Sequence, residues 1–356
     1  MVELTVQTPL KTYPVYVGTG VISRLPEIIR NKLPKLTKIF IITDEMVGPL
    51  YLKMLKDTLS GFTLEQFIVP SGEKAKTFAV YYECLTAALE NKLDRHSLIL
   101  ALGGGAVGDL SGFVAATFMR GIPFMQIPTT ILAHDSAVGG KVAINHPAGK
   151  NMVGAFYQPE AVVYDMQFLT SLSLSERRSG FAEVIKHGLI QDEAFYQWLL
   201  ENIKSLEQLN EAALIHFLAR GIEIKSAIVS QDEKETGVRA YLNFGHTLGH
   251  AIEAEMGYGR MTHGEGVTIG MLFALKLSIK YAGLSFDMEP LVQWLKELGY
   301  QTEIPGGLAA EKLVRWMKGD KKSVGQQIRM VLLEQIGTPI LHEMTEEEIL
   351  QELAAF

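Results

Sequence analysis

Two histidines spaced four residues apart, in the segment LNFGHTLGH, are the side chains of this sequence best suited to chemistry. His246 and His250 share one face if the segment is helical. Histidines placed in this way suit a divalent metal ion, and a carboxylate commonly completes the set. Glu183, in FAEVIKHG, and His263, in MTHGEG, could supply further ligands. The pattern predicts a metal site with positions open for substrate, and spacing does not exclude His187 as a competing ligand.

Three motifs of well-known enzyme classes are missing from the sequence. The zinc-protease motif needs a glutamate directly after the first histidine, and Thr247 stands there instead. No Walker A sequence occurs, and no G-x-S-x-G elbow occurs either. The sequence therefore argues against a metalloprotease, a nucleoside triphosphatase and a serine hydrolase.

A glycine-rich turn, GGGAVGD, directly follows a predicted buried strand at 98–102. Gly103, Gly105 and Gly108 satisfy the G-x-G-x-x-G spacing of dinucleotide-binding turns. Glycines let the backbone approach a pyrophosphate, and the N–H groups of the next helix attract an anion. No acid follows at the usual distance, but Asp44 ends an earlier strand, IFIITD, where its carboxylate could bind a ribose. A tight strand-to-helix turn is the alternative interpretation of the glycines.

Basic and amide side chains accompany these segments. In an acidic protein, cations gathered at such loops indicate an anionic substrate. Solvated surface charges are the alternative, and for any single lysine they are the better explanation. The residues concerned are Arg120, Lys141, Lys150, Asn151, Lys186, Lys225, Arg239, Asn243, Lys321 and Lys322.

The composition limits the remaining classes of protein. Of the 356 residues, 47% are hydrophobic and 21% are charged, so the chain can bury a core and is not disordered. With 40 acidic against 33 basic residues, the formal charge of -7 argues against a nucleic-acid partner. The single cysteine, Cys84, excludes an internal disulfide and favours the cytoplasm. Five glycines and Asp109 interrupt the longest apolar region, 97–119, so we expect a soluble protein.

The order of predicted elements indicates two domains. Strands and helices alternate in the first half, which predicts a mainly parallel sheet covered on both faces. The segment 5–17 predicts an added pair of strands at one edge, and 139–157 a long ordered loop. After about residue 174 helical patterns dominate. We therefore expect an α/β domain at 1–174, an all-helical domain at 175–356, and an active site in the cleft between them.

Taken together, these segments closely resemble the 3-dehydroquinate synthase family of the shikimate pathway. The resemblance covers almost the whole chain, and its landmarks are as follows: TDE from Thr43, SGEKAKT from Ser71, GGGAVGDLSGFVAATFMRG from Gly103, PTTILAHDSAVGGKVAIN from Pro128, GKNMVGAF from Gly149, FAEVIKHG from Phe181, DEKETGVRAYLNFGHTLGHAIE from Asp232, HGEGV from His263 and DKK from Asp320. So many ordered matches make chance resemblance improbable.

The resemblance implies roles for individual residues. Glu183, His246 and His263 would bind one divalent ion, zinc or cobalt, and His250 would instead handle substrate and protons. NAD would be held by Asp44, Glu73, Lys76, Gly104, Gly105, Asp109, Thr129, Thr130, Asp135, Lys141, Lys150 and Ser171. Ser171 stands where the family usually has threonine, and its hydroxyl can replace that donor. The substrate would be surrounded by Lys141, Lys150, Asn151, Lys186, Lys225, Arg239, Asn243, His250 and one of Lys321 and Lys322.

The resemblance also implies the reaction and the assembly. It implies a Rossmann-like N-terminal domain and a cytoplasmic homodimer in which Arg120 reaches a neighbouring subunit's phosphate site. The implied activity converts 3-deoxy-D-arabino-heptulosonate 7-phosphate to 3-dehydroquinate through transient oxidation by NAD, phosphate elimination, re-reduction and aldol closure. No nucleic-acid or membrane partner is expected. Two alternatives stay open: a related sugar phosphate cyclase that makes an inosose or valiolone, and a metal-dependent polyol dehydrogenase.

Overall fold

The computed structural model describes residues 1–257, 260–319 and 327–356. The chain divides into two compact units. The first contains Met1–Leu172 and Leu214–Lys234, and the second contains Ser173–Ala213 and Glu235–Phe356. The first break lies close to the predicted boundary at 174. The return of 214–234 to the first unit was not predicted, because that helix lies inside a long helical stretch of sequence.

A seven-stranded sheet forms the centre of the first unit, in the order β1-β2-β9-β6-β5-β3-β4. All neighbouring strands are parallel except β1 and β2, which pair antiparallel at one edge. The predicted mainly parallel sheet and its added pair of edge strands are therefore confirmed. The strands of this unit are β1 (Val2–Gln7), β2 (Thr12–Gly18), β3 (Ile39–Asp44), β4 (Leu64–Val69), β5 (Leu98–Gly103), β6 (Phe124–Pro128), β7 (Lys141–His146), β8 (Gly149–Phe156) and β9 (Val162–Asp165).

Helices cover both faces of this sheet. They are α1 (Leu25–Lys32), α2 (Gly48–Thr58), α3 (Phe78–Glu90), α4 (Gly105–Thr117), α5 (Ala133–Ser136) and most of α8 (Glu211–Gln231). Successive side chains of a strand point to opposite faces. Phe40 and Ile42 therefore join the apolar cluster under α3 and α4, whereas Ile39 and Ile41 join the cluster under α1 and α2. Strands buried on both faces explain why these runs of sequence are continuously apolar.

The segment 139–157, predicted as a long loop, is an antiparallel hairpin of β7 and β8. Val142 and Ile144 of β7 are buried in the cluster beneath α3 and α4. Most of β8 is exposed, so its sequence lacks the apolar alternation that would have predicted a strand. The prediction of an ordered segment was right, and its assignment as a loop was wrong.

The second unit is predominantly helical, as predicted, and adds a hairpin that the description all-helical omits. Its helices are α6 (Leu174–Gln191), α7 (Glu193–Asn202), α9 (His246–Met256), α10 (His263–Tyr281), α11 (Glu289–Glu297), α12 (Ala310–Gly319) and α13 (Glu346–Ala354), and its hairpin consists of β10 (Ile328–Gln335) and β11 (Thr338–Met344). Alternate side chains of β10, including Met330 and Leu332, pack with α9 and α10 in one core. Among the described residues, no helix combines the length and apolarity needed to cross a membrane.

Candidate functional site

Three predicted metal-binding side chains meet in the second unit. The Oε1 atom of Glu183 lies 3.3 Å from Nε2 of His246 and 3.4 Å from Nε2 of His263. Two ligand atoms bound at about 2.0–2.1 Å to a tetrahedral ion are separated by about 3.4 Å. Glu183 is buried, and its Oε1 has no hydrogen-bond partner among the described residues. The donor set therefore fits a divalent ion.

The opposite nitrogen of each of these two histidines is engaged by an acceptor. The Nδ1 atom of His246 lies 3.1 Å from the carbonyl oxygen of Phe244, and Nδ1 of His263 lies 2.7 Å from Oε1 of Glu253. An acceptor at Nδ1 keeps the proton on that nitrogen, which leaves Nε2 as the lone-pair donor. Both imidazoles are thus oriented to present Nε2 at the Glu183 carboxylate.

The electrostatics of the cluster favour a bound cation. Burial opposes the charge on Glu183, but Lys186 and His246 outweigh it and hold the pKa of Glu183 well below its usual range. Burial lowers the pKa of His246 to about 4, so this imidazole is neutral and able to bind metal at pH 7. Burial also opposes protonation of His263, but the flanking carboxylates of Glu183 and Glu253 raise its pKa to about 10. A divalent ion that binds at Nε2 of His263 would therefore displace the proton that this imidazole otherwise favours.

Glycines allow the three helices that carry the cluster to approach closely. A Cβ on Gly264 of α10 would lie 2.0 Å from the carbonyl oxygen of Ser179 in α6. A Cβ on Gly270 would lie 1.9 Å from the carbonyl oxygen of Gly245, which precedes α9. Both distances are far shorter than a non-bonded contact permits. The sequence HGEGVTIG thus brings His263 to the other ligands because its small residues face the neighbouring backbone.

Two further histidines, His250 and His187, lie at different positions relative to the cluster of Glu183, His246 and His263. The ligand nitrogens of His246, His250 and His263 all lie within 4.8 Å of one another, so His250 adjoins the cluster. Its predicted role as a substrate and proton-handling residue stays a prediction. His187 is buried in α6 and does not belong to the group of converging histidines found among the described residues. The structure thus brings His250 as well as His246 and His263 together and leaves His187 apart, and the ligand set of Glu183, His246 and His263 stays a prediction.

The glycine-rich turn of the first unit lies where β5 ends and α4 begins. The end of β5 adjoins the end of β3, where Asp44 lies, and the strand order reverses between these two strands. Ligands of open α/β sheets bind at such positions. A Cβ on Gly104 would lie 2.8 Å from Cγ2 of Thr130, and one on Gly105 would lie 2.8 Å from Oγ of Ser136. The glycines therefore also serve close packing, the alternative that the motif left open.

Buried hydroxyl groups around this turn are available to a polar ligand. The Oγ1 atoms of Thr129 and Thr130 and the Oγ atom of Ser136 are buried and have no hydrogen-bond partner among the described residues. Native proteins rarely leave such groups unsatisfied unless water or a ligand completes them. A backbone turn without side chains, flanked by unsatisfied hydroxyls, fits the pyrophosphate and ribose of a dinucleotide.

A charged network joins several predicted NAD-binding residues. The Lys76 ammonium donates to Oδ2 of Asp109 at 2.6 Å and also to the side-chain oxygen of Asn151. Burial opposes the charge on Lys76, but Asp109 and Glu73 outweigh it and raise its pKa. Burial raises the pKa of Asp109, with Lys76 opposing that change. A permanently charged lysine is thus held between α4 and the β7–β8 hairpin.

Asn145 was not predicted as a functional residue, although it connects this network. Its side chain donates to Oε2 of Glu73 at 2.6 Å and accepts from the Asn151 N–H at 2.9 Å. Its own N–H donates to the carbonyl oxygen of Lys76 at 2.7 Å. The sequence contains a weak signal for this role, because an asparagine in the strand KVAIN is unfavourable unless its amide is used.

Most of the remaining predicted residues of the first unit have a contact of their own, outside this network. Asp44 accepts from the N–H groups of Met46 and Val47 at 2.9 and 2.8 Å, so its carboxylate also caps the turn into α2. Lys225 of α8 lies 2.9 Å from Oδ2 of Asp135, so this ion pair joins α8 to the rest of the first unit. Ser171 accepts from the hydroxyl of Tyr51 at 2.7 Å. The predicted Lys141 lies at the start of β7 and is exposed, and Lys150 lies 3.9 Å from Glu73.

Arg239 and Asn243 lie on the 3₁₀ helix Val238–Asn243 that precedes α9. Arg239 is only 1% exposed, so it is not a surface residue that merely pairs with a solvated glutamate. Asn243 donates to Oε1 of Glu235 at 3.0 Å and to the carbonyl oxygen of Ala240 at 2.9 Å. Residues four apart share a face on an α-helix but are offset on a 3₁₀ helix. Helical spacing therefore does not bring Arg239 and Asn243 to one face, and their roles toward a substrate stay predictions.

Arg120 and the two lysines Lys321 and Lys322 are the predicted site residues not yet described. Arg120 is exposed at the end of the 3₁₀ helix Phe118–Arg120, and its φ of 68° places it in the left-handed region. Non-glycine residues rarely adopt that conformation, so the local structure holds Arg120 in a strained orientation. Lys321 and Lys322 lie outside the residues that the structure describes.

The α/β unit with its glycine-rich turn and the helical unit with its histidine group together define a class of two-unit proteins. Solved structures of similar fold belong to this class. A 2-deoxy-scyllo-inosose synthase complexed with carbaglucose-6-phosphate, NAD+ and Co2+ matches with a TM-score of 0.90 at 24% identity, over 99% of each chain. The 2-epi-5-epi-valiolone synthase of Streptomyces hygroscopicus, with NAD+ and Zn2+ bound, matches with a TM-score of 0.85 at 23% identity, over 96% of each chain. An iron-containing alcohol dehydrogenase from Thermotoga maritima matches with a TM-score of 0.68 at 16% identity, over 96% of each chain. At these identities the likeness establishes the fold.

Sequence relatives narrow the class. Family models described as 3-dehydroquinate synthase N-terminal and C-terminal match residues 66–179 and 180–323. The 3-dehydroquinate synthase of Geobacillus thermodenitrificans is 54% identical over 100% of this chain and 98% of its own. That of Bacillus cereus (strain ATCC 14579) is 53% identical over 100% of this chain and 99% of its own. This chain belongs to the 3-dehydroquinate synthase family.

Proposed function

We propose that this chain converts 3-deoxy-D-arabino-heptulosonate 7-phosphate to 3-dehydroquinate and inorganic phosphate. The observation that carries the proposal is the convergence of two histidine Nε2 atoms on an unsatisfied Glu183 oxygen at 3.3 and 3.4 Å. This metal-binding geometry occurs in a chain whose full-length relatives at 53–54% identity are named for that activity. The proposal includes NAD and one divalent ion, zinc or cobalt, as cofactors.

The two cofactors supply different chemistry. When bound, NAD accepts and returns a hydride at the substrate's C5, and the ion acts as a Lewis acid on the substrate's hydroxyl oxygens. The first unit would hold NAD through Asp44, the glycine turn and the hydroxyls of Thr129 and Thr130. The second unit would hold the ion through Glu183, His246 and His263. Lys186, which donates to the other oxygen of Glu183, keeps that carboxylate ionised and oriented.

The residues of this chain would bind and orient an anionic substrate. Arg239 offers a planar fork for the carboxylate that distinguishes this substrate from hexose phosphates. His250, beside the metal cluster, is placed to exchange a proton with a bound hydroxyl. Elimination of phosphate requires a proton to leave the carbon next to the transient ketone, and the phosphate oxygens of the substrate can accept it. The protein's part in that step is to hold the phosphate.

An assay with the heptulosonate phosphate and a catalytic amount of NAD tests the proposal. Equal release of phosphate and dehydroquinate, with no net NADH, is the expected outcome. Net NADH accumulation would identify a polyol dehydrogenase instead. Efficient turnover of glucose 6-phosphate would identify the inosose-forming class, and turnover of a heptulose phosphate without a carboxylate would identify the valiolone-forming class.

Arg239→Ala tests the carboxylate role within the same assay. A charge-assisted hydrogen bond contributes about 1.5–3 kcal/mol, so we expect kcat/KM to fall at least about tenfold. Arg329→Ala is the matched control, because Arg329 lies in the same unit and pairs with Glu343 on the surface. Equal kcat/KM in the two variants would contradict the assignment of Arg239.

We also infer a homodimer in which each site borrows Arg120 from the partner. Several apolar side chains, one beside Arg120 in sequence and three on β8, are exposed, which a monomer in water disfavours. They are Met119, Met152, Val153 and Phe156. The hydroxyl of Tyr157 donates to the carbonyl oxygen of Ile122 at 2.8 Å, which joins the end of β8 to the segment after Arg120.

Mixing two inactive variants tests this assembly. An Arg120→Ala subunit and a His246→Ala subunit together form one hybrid site that has both groups intact. We expect partial recovery of activity after subunit exchange. If exchange is demonstrated by labelled subunits and no activity returns, the shared site is wrong.

A further inference from the structure

Glu253 is a buried carboxylate that the proposed reaction does not use. It lies on α9 and is only 5% exposed. Burying a carboxylate costs free energy unless the charge is paired or hydrogen-bonded. Its Oε1 lies 2.7 Å from Nδ1 of His263, within the range of a strong hydrogen bond. The group therefore occupies a specific position next to a proposed metal ligand, on the side away from Glu183.

We propose that Glu253 is a positioning residue of the metal site: it accepts the Nδ1 proton of His263 and so directs Nε2 of that histidine toward the ion. The inference rests on the proposed metal set of Glu183, His246 and His263. Glu253 does not touch the ion or the substrate. Its effect is to select one orientation and one tautomer of the His263 ring.

The register of α9 explains why Glu253 can reach His263. Glu253 follows His246 by seven residues and His250 by three, so all three lie along one face of the helix. The capping box of Thr262 and Glu265 fixes the first turn of α10, and His263 is the first residue of that helix. The start of α10 therefore places the ring of His263 next to the face of α9 that carries His246, His250 and Glu253.

Close packing of the two helices makes the contact specific. A Cβ on Gly249 would lie 2.9 Å from the backbone of Gly266, so the helices meet at backbone distance. A Cβ on Gly266 would lie 3.4 Å from Cγ of Glu253. The absence of a side chain at Gly266 leaves space for the Glu253 side chain between the two helices, where its Oε1 meets Nδ1 of His263 at 2.7 Å.

The test measures metal affinity and uses a matched control on the same helix. Glu255 follows Glu253 by two residues, but it binds Lys312 at 2.7 Å and Trp316 at 3.1 Å rather than a histidine. We expect Glu253→Ala to weaken Zn²⁺ or Co²⁺ binding by about 10- to 100-fold, as for other carboxylates that orient a metal-binding histidine. Glu253→Gln keeps an acceptor oxygen and should lose only a few-fold. Glu255→Ala should bind metal like the wild type.

A second readout separates positioning from general destabilisation. In the zinc-loaded wild type, the Nδ1 proton of His263 should exchange slowly with solvent in nitrogen-15 NMR spectra. In zinc-loaded Glu253→Ala it should exchange fast. If Glu253→Ala does not fold, the Gln variant and the wild-type spectrum decide, because a wild-type His263 that carries its proton on Nε2 would overturn the proposal.

The outcomes distinguish this inference from the proposed function. If His246→Ala retains wild-type metal affinity, the proposed metal set is wrong, and this inference fails with it. If His246→Ala loses the metal while folded Glu253→Ala binds it like Glu255→Ala, only the role of Glu253 is wrong. A loss of affinity in Glu253→Ala, recovered by glutamine and absent in Glu255→Ala, supports the positioning role.

Discussion

The metal cluster of the second unit and the glycine-turn network of the first unit are constructed in different ways. The metal cluster uses side chains on α6, α9 and α10, and glycines bring these helices to backbone distance. The network around the glycine turn joins a 3₁₀ turn, a helix and a hairpin through side-chain hydrogen bonds of Lys76, Asn145 and Asn151. Helical spacing makes the first arrangement visible in sequence, whereas the second depends on contacts between distant segments.

The two regions also differ in how their charges are balanced. Lys76 and Asp109 form a buried ion pair at 2.6 Å, so that pair needs no further ion. In the second region, two histidine nitrogens approach one Glu183 oxygen, and this oxygen has no hydrogen-bond partner in the part of the chain that the structure describes. A bound cation would complete the second region but not the first. Four predictions test this contrast.

Replacing His263 should have the largest effect. His263→Ala removes one of three proposed ligands, and Lewis-acid stabilisation contributes several kcal/mol, so we expect kcat to fall about 1000-fold or more. Metal content, measured by atomic spectroscopy after dialysis, should fall with it, while the circular dichroism spectrum stays unchanged. His96→Ala, at an exposed site of the first unit, should retain both. Full metal occupancy in His263→Ala, with loss in His187→Ala, would show that the ligand set is wrong.

Breaking the ion pair of the first unit should mainly reduce stability. Lys76→Met leaves the charge of Asp109 without a partner, and we expect the free energy of unfolding to fall by about 3 kcal/mol. This value is at the lower end of the range for buried ion pairs because the Asp109 side chain is 19% exposed. Burial already raises the pKa of Asp109, and removing Lys76 raises it further. A carboxyl group with a raised folded-state pKa destabilises the fold once it ionises, so the deficit should be largest at neutral pH and shrink as the pH falls toward the ordinary carboxyl range.

Denaturant titrations at several pH values measure this effect. The exposed Lys74→Met is the matched control and should change stability little. Asp109→Asn added to Lys76→Met should recover most of the loss, because the unpaired charge is gone. A deficit that is the same at low and neutral pH would mean that lost packing, rather than charge, causes it.

Adding one methyl group between the helices of the second unit tests the role of the glycines. The Cβ of Gly270→Ala would lie 1.9 Å from the Gly245 carbonyl oxygen, so the helices must separate, at a cost of about 2–3 kcal/mol. Metal affinity should fall as well, because Gly245 directly precedes His246. Gly306→Ala has no atom within 4 Å of its Cβ and serves as the control. Wild-type metal affinity in Gly270→Ala would contradict the packing argument.

The smallest effect is expected at Cys84, whose reaction with a thiol reagent reports whether the first unit stays folded. It lies on the buried face of α3, and burial raises the pKa of its thiol to about 12. A thiolate is the reactive species, so we expect no measurable reaction with a thiol reagent in the folded protein at pH 8. Chelating the metal should leave this unreactive state unchanged. Rapid labelling after chelation would show that the first unit depends on the metal site of the second.

The sequence predicted the parts of the molecule that follow local rules. Continuous apolar runs predicted β3 and β5, since a central parallel strand is buried on both faces. The helical patterns after about residue 174 predicted the predominantly helical second unit, which begins with α6. The same rules missed the hairpin of β7 and β8, because the mostly exposed β8 carries little apolar alternation.

The residue types and their spacing by themselves determined the chemical character of the site: histidines four apart, a carboxylate near a lysine, and a glycine turn after a buried strand. Only the tertiary structure showed that His246, His250 and His263 converge and that His187 does not join them, because this depends on distances between helices far apart in sequence. It also revealed Asn145 and Glu253, whose roles arise from hydrogen bonds to residues on other elements. Local sequence encodes backbone conformation and burial, whereas the pairing of polar groups is set by how the elements pack.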